Sequence, residues 1–98
     1  MTESPQKKSS IVTKEMAILN QYGIHARPAA MFVKTASKYE AEVTVEKDKI
    51  KVSGKSIMGL MTMEASCGTK IKVTAEGVDA DHALAELQKL VEHKFFEE

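Results

Sequence analysis

Residues 22–30 read Tyr-Gly-Ile-His-Ala-Arg-Pro-Ala-Ala, and this stretch joins a strand-like run to the start of a helix. Gly23 permits a sharp or left-handed turn. Pro28 suits the first turn of a helix, where a missing N–H costs little. Apolar residues then recur at three- and four-residue steps, which predicts a helix over about residues 26–38: Ala29, Phe32, Val33, Ala36 and Tyr39. His25 is therefore predicted at or beside the N-cap.

The residue types at this helix start favour an anion bonded to the histidine itself. Free N–H groups, mainly of Ala26 and Arg27, and the positive end of the helix dipole point toward whatever the imidazole of His25 carries. Arg27 adds a permanent charge whose fork matches phosphate oxygens. The alternative is a surface histidine that only caps the helix, but Asp, Ser or Asn caps better. A nucleophilic imidazole in this setting indicates a phosphoryl group.

Two motifs carry a resemblance to a known family. Gly-Ile-His-Ala-Arg-Pro-Ala at residues 23–29 resembles the active-site signature of HPr, the histidine-containing phosphocarrier protein of the bacterial phosphotransferase system. Lys-Ser-Ile-Met-Gly-Leu-Met at residues 55–61 is similar to the family's regulatory serine segment, and the resemblance covers about residues 12–95. It implies that His25 takes phosphate on Nδ1 from enzyme I, with phosphoenolpyruvate upstream, and passes it to a IIA domain for sugar transport. It also implies that Arg27 is the partner that stabilises the anion, beside the N–H groups of Ala26 and Arg27 that the helix start provides. No zinc, heme, Walker or dinucleotide motif is present, so we expect neither a cofactor nor a metal.

Ser56 has two readings. A serine before an apolar run is an ordinary N-cap, and local sequence alone favours that role. The resemblance implies phosphorylation by an HPr kinase/phosphatase, which is compatible because the helix dipole favours a phosphate at an N-cap. The family's regulatory role also implies that the modified surface recruits a transcription factor.

The segment after Ser56 is too apolar for a short helix with one face in water. Ile57 and Leu60 suit the core, whereas Met58 and Met61 are spaced to share another face. Adaptable thioethers suit a surface that fits several partners, and the family docks partners on this helix. The expected docking residues are Ile57, Met58 and Met61; the alternative places the methionines in the core.

Alternating apolar and polar residues predict four strands, at residues 12–19, 42–46, 50–52 and 70–75. Helices are predicted from His25, from Ser56 to about Met63, and after Asp79 as N-cap, the last with an apolar stripe of Ala83, Leu84, Leu87, Leu90 and Val91. One apolar face per strand calls for helices on a single side. The predicted fold is α+β: a βαββαβα open-faced sandwich with a four-stranded antiparallel sheet and three helices. His25 and Ser56 are expected at helix N-termini on the same edge.

Composition narrows the class of protein. The 98 residues fit one domain, predicted as residues 11–98 after a disordered tail at 1–10. Fourteen basic and fourteen acidic residues cancel, so neither nucleic acid nor an anionic membrane is suggested as a partner. The single cysteine, Cys67, is expected to be a small apolar filler, and the helical His82 and His93 to face solvent without metal-ligand spacing. With no long apolar run or signal pattern, we expect a cytoplasmic location. We also expect the protein to be a monomer.

Three functions fit these observations. A sugar-transport phosphocarrier fits best, and it acts as a co-substrate of its partners rather than as an enzyme. The first alternative is a regulatory, nitrogen-related phosphorelay member that controls partners and moves no sugar. The second is a small anion- or metabolite-binding domain in which His25 is never phosphorylated.

Overall fold

A computed structural model describes residues 10–97 of the chain. Its elements follow the order βαββαβα with a short turn at the end, and the order of strands and helices was predicted from the sequence. The bounds are β1 Ser10–Ala17, α1 Ala26–Ala36, β2 Glu42–Lys47, β3 Ile50–Ser53, α2 Ile57–Thr62, β4 Lys70–Gly77, α3 Ala80–Glu92 and the turn Lys94–Phe96. Ser10 already belongs to β1, and the rest of the predicted tail lies outside the described residues.

The four strands form one antiparallel sheet in the order β1-β4-β2-β3. Val45 in β2 lies opposite both Val52 and Val73, so apolar side chains line up across the strands. The buried strand residues share one cluster with the buried residues of all three helices. The open-faced α+β sandwich predicted from the alternating pattern is therefore confirmed.

The helices bury most of the predicted stripes; in the stripe predicted for α1, Val33 and Tyr39 are only partly buried. In α1 the buried residues are Pro28, Ala29, Phe32 and Ala36, and α3 buries the whole expected set from Ala83 to Val91. α1 ends two residues earlier than predicted, because Lys38 and Tyr39 donate to Thr35 and Ala36 in tighter three-residue steps. Residues 10–97 contain no helix long and apolar enough to cross a membrane.

The first two helices lie side by side with opposite ends adjacent. The N–H of Ile24, just before α1, donates to the carbonyl of Ala65 beyond α2 (2.9 Å), while Lys55 Nζ, just before α2, donates to Tyr39 O beyond α1 (2.9 Å). The prediction that His25 and Ser56 share an edge is therefore wrong. The two helices start at opposite ends of the pair. The cause is the short connection from β3, which starts α2 where α1 finishes.

Two local predictions also need correction. Asp79 occupies the N-cap of α3 but makes no side-chain cap bond; its carboxylate accepts from the N–H groups of Glu40 and Ala41, both at 2.9 Å. Those bonds, first that from Glu40, lower the pKa of Asp79. Cys67 is exposed rather than an apolar filler, because it lies in the turn between α2 and β4. His82 and His93 are exposed, as predicted.

Candidate functional site

The loop between β1 and α1 is held in place by a close backbone contact. Gly23 has φ +69°, and a Cβ there would lie 2.4 Å from Ala65 O and 2.8 Å from Ser66 Cα, so a side chain is excluded. Ile24 is buried next to it. These contacts present the following residue, His25, in extended conformation at the N-cap of α1, as the sequence predicted.

His25 does not cap the helix with its ring. Its carbonyl accepts from Ala29 N–H (2.9 Å), but its side chain makes no cap bond, so the capping-only reading is wrong. Among residues 10–97, no acceptor lies on the N–H groups of Ala26 and Arg27. The imidazole is 42% exposed, which leaves room for an anion between the ring and these amides.

A carboxylate that sequence reasoning missed contacts the ring. His25 Nε2 lies 2.9 Å from Glu97 Oε2. The other carboxylate oxygen, Oε1, accepts from Asn20 Nδ2 at 3.0 Å, and the same amide nitrogen donates to Gly23 O at 2.7 Å. Asn20 is only 1% exposed, and its Oδ1 has no partner among the described residues. Glu97 and His25 are 72 residues apart, so no local pattern links them.

Beside the histidine runs an open groove of about 710 Å³. Arg27 and Lys94 bring positive charge to it and Glu97 brings negative charge, while its apolar surface comes mainly from Leu19, Tyr22 and Phe96. Arg27 is exposed and forms no ion pair within residues 10–97. Its guanidinium is therefore free to contact phosphate oxygens that approach His25. The described residues include no cluster of side chains suited to a metal ion.

The second motif has a different geometry. Ser56 is the N-cap of α2, and its Oγ accepts from Gly59 N–H at 2.9 Å, so the predicted cap is confirmed. Leu60 is buried, but Ile57 is 41% exposed and its predicted core position is wrong. The inward positions of this six-residue helix are instead filled by Leu60 and its C-cap, Met63. Met58 and Met61 are 74% and 40% exposed, so the alternative that buried both methionines is wrong too.

Comparison with known proteins places this geometry in a family. Residues 12–93 match the family model described as the PTS HPr component phosphorylation site. The phosphocarrier protein HPr of Treponema pallidum is 42% identical over 90% of this chain and all of its own length. A crystal structure of HPr from Thermoanaerobacter tengcongensis superposes with a TM-score of 0.85, at 48% identity over 89% of this chain and 98% of that one.

A further structure, described as an HPr dimer from the same organism, has a TM-score of 0.72 at 44% identity and covers 99% of this chain and 100% of that one. The match extends over most of the sequence, includes both motifs, and agrees with the βαββαβα fold. The chain belongs to the HPr family, the phosphocarrier proteins of the phosphotransferase system.

Proposed function

We propose that His25 is the residue that accepts and releases the phosphoryl group. The observation that carries this proposal is the open start of α1, where an exposed imidazole precedes two N–H groups without acceptors among the described residues. The helix dipole and Arg27 add favourable electrostatics for an anion at the same place. Neither exposed histidine of the α3 region, His82 or His93, has this setting.

The donor and acceptor that fit this site are proteins. We propose enzyme I, charged from phosphoenolpyruvate, as donor and the IIA domains of sugar transporters as acceptors, so the chain is a co-substrate of those proteins rather than an enzyme. An exposed, shallow site suits this role because a phosphoryl group that is bound too firmly is not passed on. The bare amides and Arg27 stabilise the group in transit, when its charge spreads over the equatorial oxygens.

Intact-mass measurement after incubation with phosphoenolpyruvate and enzyme I tests the assignment. We expect the wild type to gain one phosphoryl group that is labile in acid and stable in base, and His25→Ala to gain none. His82→Ala is the matched control, since it removes an exposed histidine from α3 and is expected to behave as wild type. Normal phosphorylation of His25→Ala would show that the phosphate is elsewhere, and an unmodified wild type would favour the anion-binding alternative.

We propose that partner proteins bind the exposed surface of α2 formed by Ile57, Met58 and Met61. Support comes from the exposure of these three apolar side chains and from the bond between Ile24 and Ala65, which holds the end of α2 beside the loop that carries His25. Exposed apolar residues next to a charged site are typical of protein contacts. A negative charge introduced at this surface by Met58→Glu is expected to weaken phosphorylation by enzyme I while the melting temperature stays close to wild type.

Ser56 is proposed as the regulatory phosphorylation site for an HPr kinase/phosphatase, with a transcription factor as reader of the modified surface. Ser56 begins α2 at the end that lies away from the start of α1, where His25 is. We propose that a phosphate on Ser56 acts through partner contacts on α2 rather than through a direct contact with His25. The cytoplasmic location and the monomeric state stay predictions, the second testable by light scattering.

A further inference from the structure

We propose that Asn20 and Glu97 are positioning residues, which fix the proton of His25 on Nε2 and leave the lone pair of Nδ1 to attack phosphorus. The inference rests on the proposed function of His25 and names the groups that orient it. It follows from three hydrogen bonds, from the burial of Asn20, and from the path by which the chain returns to the site.

The first step concerns the ring. An ionised carboxylate only accepts hydrogen bonds, so the 2.9 Å contact between Glu97 Oε2 and His25 Nε2 requires the hydrogen to be on Nε2. In a neutral imidazole the other nitrogen, Nδ1, then holds the lone pair. No group among residues 10–97 forms a hydrogen bond with Nδ1. The nitrogen left free is thus the one that is able to act as nucleophile.

The second step concerns the carboxylate, which Asn20 holds in place. Both oxygens near the Asn20 amide, Gly23 O and Glu97 Oε1, only accept, so the amide nitrogen must face them. This orientation leaves the buried Oδ1 without a partner in the described structure. An unpaired buried acceptor costs free energy, and its presence indicates that the orientation of the amide is determined by the two oxygens it must bind.

The third step concerns how Glu97 reaches the site. After α3 the chain turns through Lys94, Phe95 and Phe96, each with φ between 55° and 58°. Successive left-handed residues other than glycine are unfavourable, and burial of Phe95 in the core offsets that cost. The turn brings Glu97 back over the loop of Asn20. An unfavourable backbone path that ends on the reactive histidine supports a role for the carboxylate beyond surface charge.

The chemical step needs no proton movement with this arrangement. The lone pair of Nδ1 forms the new bond to phosphorus, and the bond between phosphorus and the donor breaks with its electron pair staying on the donor. The proton already on Nε2 remains there, and the positive charge that develops on the ring faces the Glu97 carboxylate. A buried or half-buried carboxylate that holds an imidazole in one tautomer supports nucleophilic catalysis in the same way elsewhere.

The test is a pair of substitutions with opposite predicted tautomers. In Glu97→Gln, Asn20 Nδ2 still requires an acceptor, so the new amide oxygen faces Asn20 and its NH₂ faces the ring. That NH₂ donates to Nε2 and moves the ring proton to Nδ1, which removes the nucleophile. Glu97→Ala only releases the ring to a mixture of tautomers. ¹⁵N resonances of the unphosphorylated protein report which nitrogen carries the proton.

We expect transfer from enzyme I to fall by about tenfold in Glu97→Gln, the lower end of the range for a lost hydrogen bond to a charged group. In Glu97→Ala we expect a smaller fall of about threefold, because part of the ring population keeps its proton on Nε2. Replacing Asn20 by Ala in the Glu97→Gln background frees the amide to rotate, so it should restore part of the Nε2–H tautomer and of the rate. Glu92→Gln, which removes the same charge from the exposed end of α3, is the matched control. It is expected to leave the tautomer of His25 and the transfer rate unchanged.

Two outcomes overturn the inference: a wild-type His25 with its proton on Nδ1, or a Glu97→Gln variant whose tautomer or rate matches wild type. Loss of folding is detected by melting temperature, and Glu97→Ala then carries the tautomer test alone. A wild type that never accepts phosphate overturns the proposed function instead. Its tautomer, measured without phosphate, still shows whether Asn20 and Glu97 orient the ring.

Discussion

Two helices of this protein begin with polar residues in extended conformation, and the two N-cap side chains are used in opposite ways. At α2, the Ser56 hydroxyl accepts from the N–H of Gly59 and caps the helix, although the N–H groups of Ile57 and Met58 have no acceptors among the described residues. At α1, His25 turns its ring toward Glu97 and leaves the N–H groups of Ala26 and Arg27 without acceptors in residues 10–97. A capped terminus contributes stability, whereas an uncapped terminus forgoes it and retains the capacity to bind an anion.

Closing the start of α1 should have the largest effect. His25→Ser offers its Oγ to the N–H of Arg27, because Pro28 at the third helical position has no N–H to donate. We expect complete loss of phosphorylation while stability against denaturant rises by roughly 0.5–2 kcal/mol. Intact mass and urea unfolding measure the two quantities on one sample. A fall in stability would show that the contact between His25 and Glu97 stabilises the protein more than a serine cap does. The start of α1 would then not be a terminus that forgoes stability.

Removing the cation beside the open terminus should have the next largest effect. Arg27→Ala is expected to slow transfer from enzyme I by about ten- to a hundredfold, the equivalent of a charge-assisted contact of roughly 1.5–3 kcal/mol. Arg27→Lys should recover part of the rate, because a point charge lacks the planar fork. Lys34→Ala removes an exposed cation from the same helix and is the control. Equal rates in Arg27→Ala and Lys34→Ala would exclude a specific role for the guanidinium.

Substitutions at Ser56 examine the closed terminus. Ser56→Ala should lose about 0.5–2 kcal/mol of stability, since the Gly59 N–H loses its acceptor, yet accept phosphate well. Ser56→Asp keeps a cap, so its melting temperature should stay near wild type while its phosphorylation by enzyme I falls. Calorimetry and phosphorylation rates separate the two roles. If both variants accept phosphate equally fast, Ser56 is only a cap in this protein.

A third helix start, at Asp79, should give the smallest effect. Its carboxylate accepts hydrogen bonds from the N–H groups of Glu40 and Ala41, and these bonds lower the pKa of Asp79 in the folded state. The unfolded chain therefore binds this proton first as pH falls. The stability that the ionised Asp79 carboxylate contributes to the folded protein is fully present above the ordinary carboxyl pKa. It is lost as the pH drops through the lowered pKa of the folded state. Asp79→Asn should flatten the acid dependence of the melting temperature; an unchanged slope would exclude Asp79 as its source.

Local patterns were sufficient to predict the strands, the helices and the N-cap positions of all three helices. The periodicity around Phe32 and the alternation around Val45 depend on neighbours a few residues away, and such signals are visible in the sequence. The contact between His25 and Glu97 and the opposed ends of α1 and α2 depend on how distant segments pack. The partners of the Asp79 side chain also depend on the packing of distant segments. An acidic N-cap normally accepts from N–H groups of its own helix, whereas here a neighbouring loop supplies two N–H donors.

The close approach of Gly23 to Ala65 and Ser66 has a consequence for how mutations accumulate in this protein. Because the loop of His25 rests directly on the backbone that follows α2, neither segment is free to shift without the other. A substitution that alters the tilt of α2 is therefore expected to displace the loop that carries His25. Such a displacement would affect binding to every partner that uses this histidine. Variation at this junction is therefore expected to be constrained more tightly than the exposure of its side chains suggests.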